Sequence, residues 1–199
     1  MIERREIWDE FRWEDFMLER DKKVERAMEL LYRERPVADA SGWSWLMGEL
    51  PEIDDDDTDD GEEWKCETLQ PWRLAQDFAA HALKVVESMA ERPKSESGTG
   101  SGADSAVVDF VSNAMIAPGT IARGMSFGCE PEGVGANIAY CKRGLAAANS
   151  AISALREMRL KGILGGTAYH VLAAEAAEAR DAIALHVAEL REAFLRNRG

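Results

Sequence analysis

The chain has 199 residues, of which 46% are hydrophobic and 31% are charged, a composition typical of a soluble globular protein. Its first residues lack the apolar run of a signal peptide, and no uncharged apolar stretch approaches the ~18 residues that span a membrane, so we expect a cytoplasmic protein with no membrane partner. The net charge is −13 and no basic stripe is present, which excludes DNA as the expected partner and argues against RNA.

The N-terminal segment is predicted to form a helical arm over residues 1–50. A first helix covers residues 3–34 and ends before Pro36, because proline disrupts the helix that precedes it. Its apolar residues recur at helical spacing, at Trp13, Met17, Val24, Met28 and Leu31. A second, short helix is expected over residues 41–50.

An acidic loop is predicted next, over residues 51–67. This segment contains ten acidic residues and one lysine, so it carries −9 of the net charge. A helix over residues 71–91 follows, opened by Pro71, and then a flexible Gly/Ser-rich linker over residues 92–105. From Ala106 onwards an apolar stripe at helical spacing continues across Pro118, which predicts either one kinked helix or two short collinear helices. The stripe consists of Val107, Val111, Ala114, Ile121 and Met125.

The last two predicted helices have the most regular pattern. Apolar residues recur every three or four positions from Ile138 to Leu155, and again from Tyr169 to Leu190 after an expected N-cap at Thr167. A glycine-containing turn separates them, so they should pack antiparallel. We therefore predict an all-α protein, with an antiparallel four-helix bundle and an alanine-rich seam over residues 71–199.

The acidic loop contains a candidate calcium site. Counted from Asp56, the residues in places one, three, five, seven and twelve of an EF-hand-like loop are Asp56, Thr58, Asp60, Glu62 and Glu67. Calcium prefers six to eight oxygen ligands, and Gly61 in the sixth place permits the sharp turn. The alternative is a solvated acidic loop that binds no ion.

A second candidate lies near the C-terminus, where Arg180, a polar residue, four more residues and His186 follow one another. This segment resembles the motif of HEPN-domain ribonucleases, which are helical bundles that cleave RNA without a metal. The resemblance implies that Arg180 stabilises phosphate charge and that His186 transfers the proton. The alternative is a buried, hydrogen-bonded histidine on the apolar side of the helix.

A third candidate is a transition-metal site between helices, formed by His81, Cys141 and His186. Histidine, cysteine and carboxylate side chains on facing helices are the usual ligands of such sites. The Glu-x-x-His pairs of ferritin-like proteins are absent, and core packing is the alternative for Cys141.

The sequence contains no catalytic signature beyond these candidates, so it favours a non-enzymatic protein that acts through association with another protein or with itself. No cofactor is predicted. A metal-binding bundle and a metal-independent ribonuclease are the alternatives. They require that at least three of His81, Cys141, Arg180 and His186 converge around one cavity.

Overall fold

A computed structural model of the chain describes residues 7–33, 65–90 and 104–196. In these ranges it contains one 3-10 helix, Lys65–Thr68, and five α-helices, which are α1 (Glu10–Arg33), α2 (Gln70–Ala90), α3 (Ser105–Met125), α4 (Val134–Leu160) and α5 (Gly166–Arg196). No β-strand occurs in the same ranges. The prediction of an all-α protein is confirmed.

The described residues belong to two compact units. The first contains residues 7–13, 65–90 and 104–196, and the second contains the rest of α1, residues 14–33. The first unit therefore includes α2, α3, α4 and α5. It also includes each candidate site residue that the structure describes.

Helix α1 begins seven residues later than predicted. Residues 7–9 are not helical, and the Asp9 side chain accepts a hydrogen bond from the Arg12 backbone N–H at 3.0 Å. This bond satisfies one of the free N–H groups in the first turn, as expected of an N-cap aspartate. The charged spacing of the N-terminus resembled a helix, but the cap places the start at Glu10.

In the first unit, α2 and α4 each contact both α3 and α5. The buried side chains form two clusters, and both clusters draw on all four helices. The larger residues of one cluster are Ile121, Ile138, Ile183, Leu190 and Phe194. Those of the other are Phe78, Phe110, Leu155, Met158 and Leu172.

Small residues let α3 and α4 approach closely. A methyl group on Gly144 of α4 would lie 2.9 Å from Thr120 Oγ1 and 3.2 Å from the Ala117 carbonyl oxygen, both on α3. Such distances are shorter than normal packing allows, so only glycine fits there without a shift. The buried residues of α4 also include four alanines, Ala147, Ala148, Ala151 and Ala154.

Helix α3 is continuous through Pro118, which selects the one-helix form of the two that the sequence left open. Asp104 caps its start by accepting a hydrogen bond from the Ala106 N–H at 2.8 Å. Lys161 Nζ, just after α4, lies 2.9 Å from the same carboxylate and lowers the pKa of Asp104. The start of α3 is thus joined to the end of α4, as in an antiparallel pair.

Helix α5 begins at Gly166, so the predicted N-cap at Thr167 is wrong. Thr167 lies inside the first turn, and the carbonyl of Gly165 accepts the hydrogen bond from the Tyr169 N–H at 3.0 Å. Glycine is acceptable at a cap position, and this turn needs no side-chain cap.

Residues 7–13 are attached to the rest of the first unit through Glu10, which is buried. Its carboxylate accepts hydrogen bonds from Arg191 Nη2 at 2.8 Å and from Arg191 Nε at 2.9 Å, and Lys142 Nζ lies 3.9 Å away. The first residue of α1 is therefore linked to both α5 and α4. A two-bond pair of this kind fixes orientation as well as distance.

Candidate functional site

His81 forms a surface bridge between two helices. Its Nδ1 lies 2.7 Å from Glu175 Oε2, which joins α2 to α5, and the two side chains are 38% and 37% exposed. An exposed pair of this kind contributes little to stability. The contact engages one of the two ring nitrogens of His81.

His186 is more deeply placed on α5. Its Nδ1 lies 3.8 Å from Glu189 Oε2, and its Nε2 is buried with no hydrogen-bond partner among the described residues. Burial lowers the pKa of His186 below its usual value, and Glu189 acts more weakly in the opposite direction. Since the charged form is disfavoured, His186 is neutral near pH 7.

Cys141 is fully buried, and its thiol donates a hydrogen bond to Asn137 Oδ1 at 3.4 Å. Burial, helped by the Cys129 thiol, raises the pKa of Cys141 to about 12. A metal ligand or a nucleophile must be the thiolate, which this environment suppresses. The amide of Asn137 also donates to the Gly128 carbonyl at 3.3 Å, so Cys141 belongs to a small buried polar network.

Arg180 pairs with its neighbour on α5, since its Nη2 and Nε lie 2.6 Å and 2.8 Å from Asp181 Oδ1. His186 is six residues further along the same helix. This separation corresponds to about 9 Å along the axis and about 120° around it. The two side chains therefore leave α5 in different directions within one chain.

The described residues contain no group of three or more His, Cys, Asp or Glu side chains that could hold a metal ion. His81, Cys141 and His186 are satisfied or buried separately, with Glu175, Asn137 and Glu189 as their respective neighbours. Four residues of the calcium hypothesis lie outside the described ranges, namely Asp56, Thr58, Asp60 and Glu62. Glu67 is described and is exposed, in the 3-10 helix Lys65–Thr68.

The outward side of α3 carries three exposed large apolar side chains, all within residues 108–116. Val108 is 51% exposed, Met115 51% and Ile116 48%. With three smaller or charged exposed residues they occupy about 100° of the helix circumference. We call this surface the α3 face, and it consists of Val108, Ser112, Met115, Ile116, Gly119 and Arg123.

Helix α3 is apolar on its inner side as well. By length and composition it could cross a membrane, the one such helix among the residues described, but core helices of soluble proteins pass the same criterion. Its buried side packs Phe110, Ala114, Ala117 and Ile121 into the two core clusters. The apolar composition of α3 is thus shared between a core side and the α3 face.

A polar groove of about 450 Å³ borders the α3 face on the side of α4. It is lined by Asp109, Asn113, Asn149, Ser150, Ser153, Ala154 and Glu157. Asn113 and Asn149 donate hydrogen bonds to carbonyls one turn back on their own helices, at 2.8 Å and 3.0 Å. The side-chain nitrogens of these two amides are therefore already bonded within their own helices.

Sequence reasoning did not identify the α3 face. The spacing selected Val107, Val111, Ala114, Ile121 and Met125 as one apolar stripe. Only Ala114 and Ile121 of these are buried, and the buried side is completed by residues such as Phe110 and Ala117. An apolar helix offers several stripes of similar quality. The sequence did contain one indication, because α3 has more apolar residues than one buried side of a helix needs.

No family model, curated protein or solved structure matches this chain.

Proposed function

We propose that this protein is a protein-association module, in which α2, α3, α4 and α5 form an antiparallel four-helix bundle that presents the α3 face to a protein partner. The bundle is supported by the contacts of α2 and α4 with both α3 and α5. The composition of the two core clusters also supports it. One cluster combines the early part of α2 with the late part of α3, and the other combines the late part of α2 with the early part of α3, as expected of antiparallel helices.

The observation that carries the association proposal is the exposure of Val108, Met115 and Ile116 together. No charged residue lies between Asp109 and Arg123, so the middle of the α3 face is uninterrupted apolar and small surface. Single exposed apolar residues are common, but a contiguous group on a rigid helix is typical of a binding surface. By contrast, the exposed side of α4 carries Asn149, Ser150 and Ser153.

Site-specific photocrosslinking in living cells tests the proposal. A benzophenone amino acid replaces Met115 in the full chain, and the matched control replaces Ser153, which is also exposed but lies in the polar groove. We expect irradiation to give a discrete protein adduct from position 115 and not from position 153. Adding Ile116→Glu should abolish the adduct, because burying a charge in an apolar contact is costly.

Either a second copy of the chain or a different protein in the adduct supports an association role. Equal labelling from positions 115 and 153, or an adduct that persists in Ile116→Glu, contradicts it. Circular dichroism of the Ile116→Glu variant provides the folding control. Ile116 is about half exposed, so the helical signal should be unchanged.

A further inference from the structure

We propose that the partner on the α3 face is a second copy of this chain, whose own α3 packs antiparallel against the first. This inference rests on the proposed function and specifies its partner.

The two charged residues of α3 stand at opposite ends of the exposed side. Asp109 and Arg123 are 14 residues apart, which corresponds to about 21 Å along the helix and about 40° around it. Asp109 makes no hydrogen bond or ion pair through its carboxylate within the described ranges, and Arg123 lies 5.5 Å from the Phe127 ring with no carboxylate beside it. Both charges are therefore available to a partner.

In an antiparallel pair the contact between Asp109 and the partner's Arg123 occurs twice, once at each end of the interface. With a two-fold axis beside Met115 and Ile116, Asp109 lies within one residue of the level of Arg123 of the partner subunit, and the reverse contact follows by symmetry. A parallel pair would instead place the two aspartates together and the two arginines together. Charge complementarity of this kind sets the orientation and register of an interface.

The same register also matches side-chain size. Ser112 lies opposite Gly119 of the partner subunit, and Met115 lies opposite Ile116 of the partner subunit. Small residues on both sides of the centre allow two helices to approach, and the large apolar residues fill the space at the centre. No atom of the described residues lies within 4 Å of where a side chain on Gly119 would begin, so space is open there.

The expected dimer is weak. The α3 face extends over 16 residues, or about 24 Å. The area that one helix can bury over that length is much smaller than the roughly 800 Å² that each partner contributes to a standard stable interface. We therefore expect association in the upper micromolar range, which appears at high protein concentration and reverses on dilution.

Charge exchange in the full chain tests the register. Sedimentation equilibrium between about 1 µM and 1 mM should show a monomer–dimer equilibrium for the unaltered protein. Asp109→Arg and Arg123→Asp should each raise the dissociation constant at least tenfold, because each places like charges together, whereas the double exchange should return it to within about threefold. Ala188→Arg, which adds a similar charge on the exposed side of α5 and away from the groove that Asp109 lines, is the matched control and should have no effect.

A chain that stays monomeric at 1 mM overturns the inference, as does a dimer that the single exchanges leave unchanged or that the double exchange fails to restore. Monomeric protein that floats with vesicles of phosphatidylcholine and phosphatidylglycerol would assign the α3 face to a membrane and would also overturn it. A photocrosslink from position 115 to a different protein, without self-association, would contradict this inference alone and leave the association role standing. Circular dichroism at low concentration confirms that each variant is folded.

Discussion

Replacing Gly124 by alanine measures how closely α3 and α4 approach each other. A methyl group at this position would lie 2.9 Å from Asn137 Oδ1, 3.0 Å from the Asn137 carbonyl oxygen and 3.2 Å from Tyr140 Cβ. Two of these atoms belong to the backbone or to the base of a side chain on α4, so they cannot rotate away. The helices must separate, or Asn137 must move.

The expected cost combines three effects. Alanine is favoured over glycine inside a helix by about 1 kcal/mol, and overpacking a core costs about 1–3 kcal/mol. Asn137 is fully buried and forms hydrogen bonds with Cys141 and Gly128. Displacing it would break these bonds and leave buried polar groups without partners, which costs about 1–3 kcal/mol. The net expectation for Gly124→Ala is a decrease of about 2 kcal/mol in the free energy of unfolding.

Gly119→Ala is the matched control on the same helix. In the part of the chain that the structure describes, nothing lies within 4 Å of the added methyl group. Only the helix preference remains, so the protein should gain about 0.5–1 kcal/mol. Urea unfolding followed by circular dichroism at about 1 µM protein measures both changes below the expected dimer range. If both variants shift stability in the same direction, the close α3–α4 contact at Gly124 is refuted.

Three further predictions concern the polar groups of the first unit. Arg191→Met should lower the free energy of unfolding by about 1–2 kcal/mol, because the change leaves buried Glu10 without its two-bond partner. The expected loss is small because Arg191 is partly exposed, and no change in urea unfolding would contradict this account. Cys129→Ser should remove one fast-reacting thiol in a disulfide-exchange assay, because Cys129 is exposed. Cys141 should react only in denaturant, because it is buried and its pKa is about 12. Rapid labelling of Cys141 in the folded protein would argue against its burial. Burial lowers the pKa of His186 in the folded state, so the unfolded chain binds the proton more readily. Stability should therefore fall as the pH decreases below about 6.5. His186→Gln should flatten this pH dependence, and an unaltered dependence would exclude His186 as its source.

The sequence was most informative where apolar residues occupy one side of a helix. In α5, the predicted stripe includes Leu172, Ala176, Ala179, Ile183 and Leu190, and all five are buried. The polar residues between them leave one solution for the inner side. The same stripe placed His186 in the core, where it is only partly buried, because positions at the edge of a stripe depend on the neighbouring helix.

Helix boundaries were predicted less well, because they depend on hydrogen bonds that spacing does not reveal. The start of α1 is fixed by the Asp9 side chain, and α5 starts at Gly166, after a glycine whose carbonyl accepts a hydrogen bond from the Tyr169 N–H. Candidate sites were harder still, since His81, Cys141 and Arg180 each acquire a neighbour that is set by tertiary packing or by a local rotamer. A histidine on α2 gives no indication that Glu175, 94 residues later, will lie 2.7 Å away.

The α3 face illustrates the remaining limit. In a helix that is apolar on most sides, the inner stripe is selected by the surface it packs against rather than by its own pattern. Here α4 presents Gly144 to Thr120 and Ala117 at short distance, and this contact turns Met115 and Ile116 away from the core. The apolar surplus of α3 was therefore visible in the sequence, but its direction was not. The Gly124 variant probes the inner side of this helix, whereas the Gly119 variant and the Asp109–Arg123 exchange probe its exposed side. Together they separate the residues that pack against α4 from those that stay exposed.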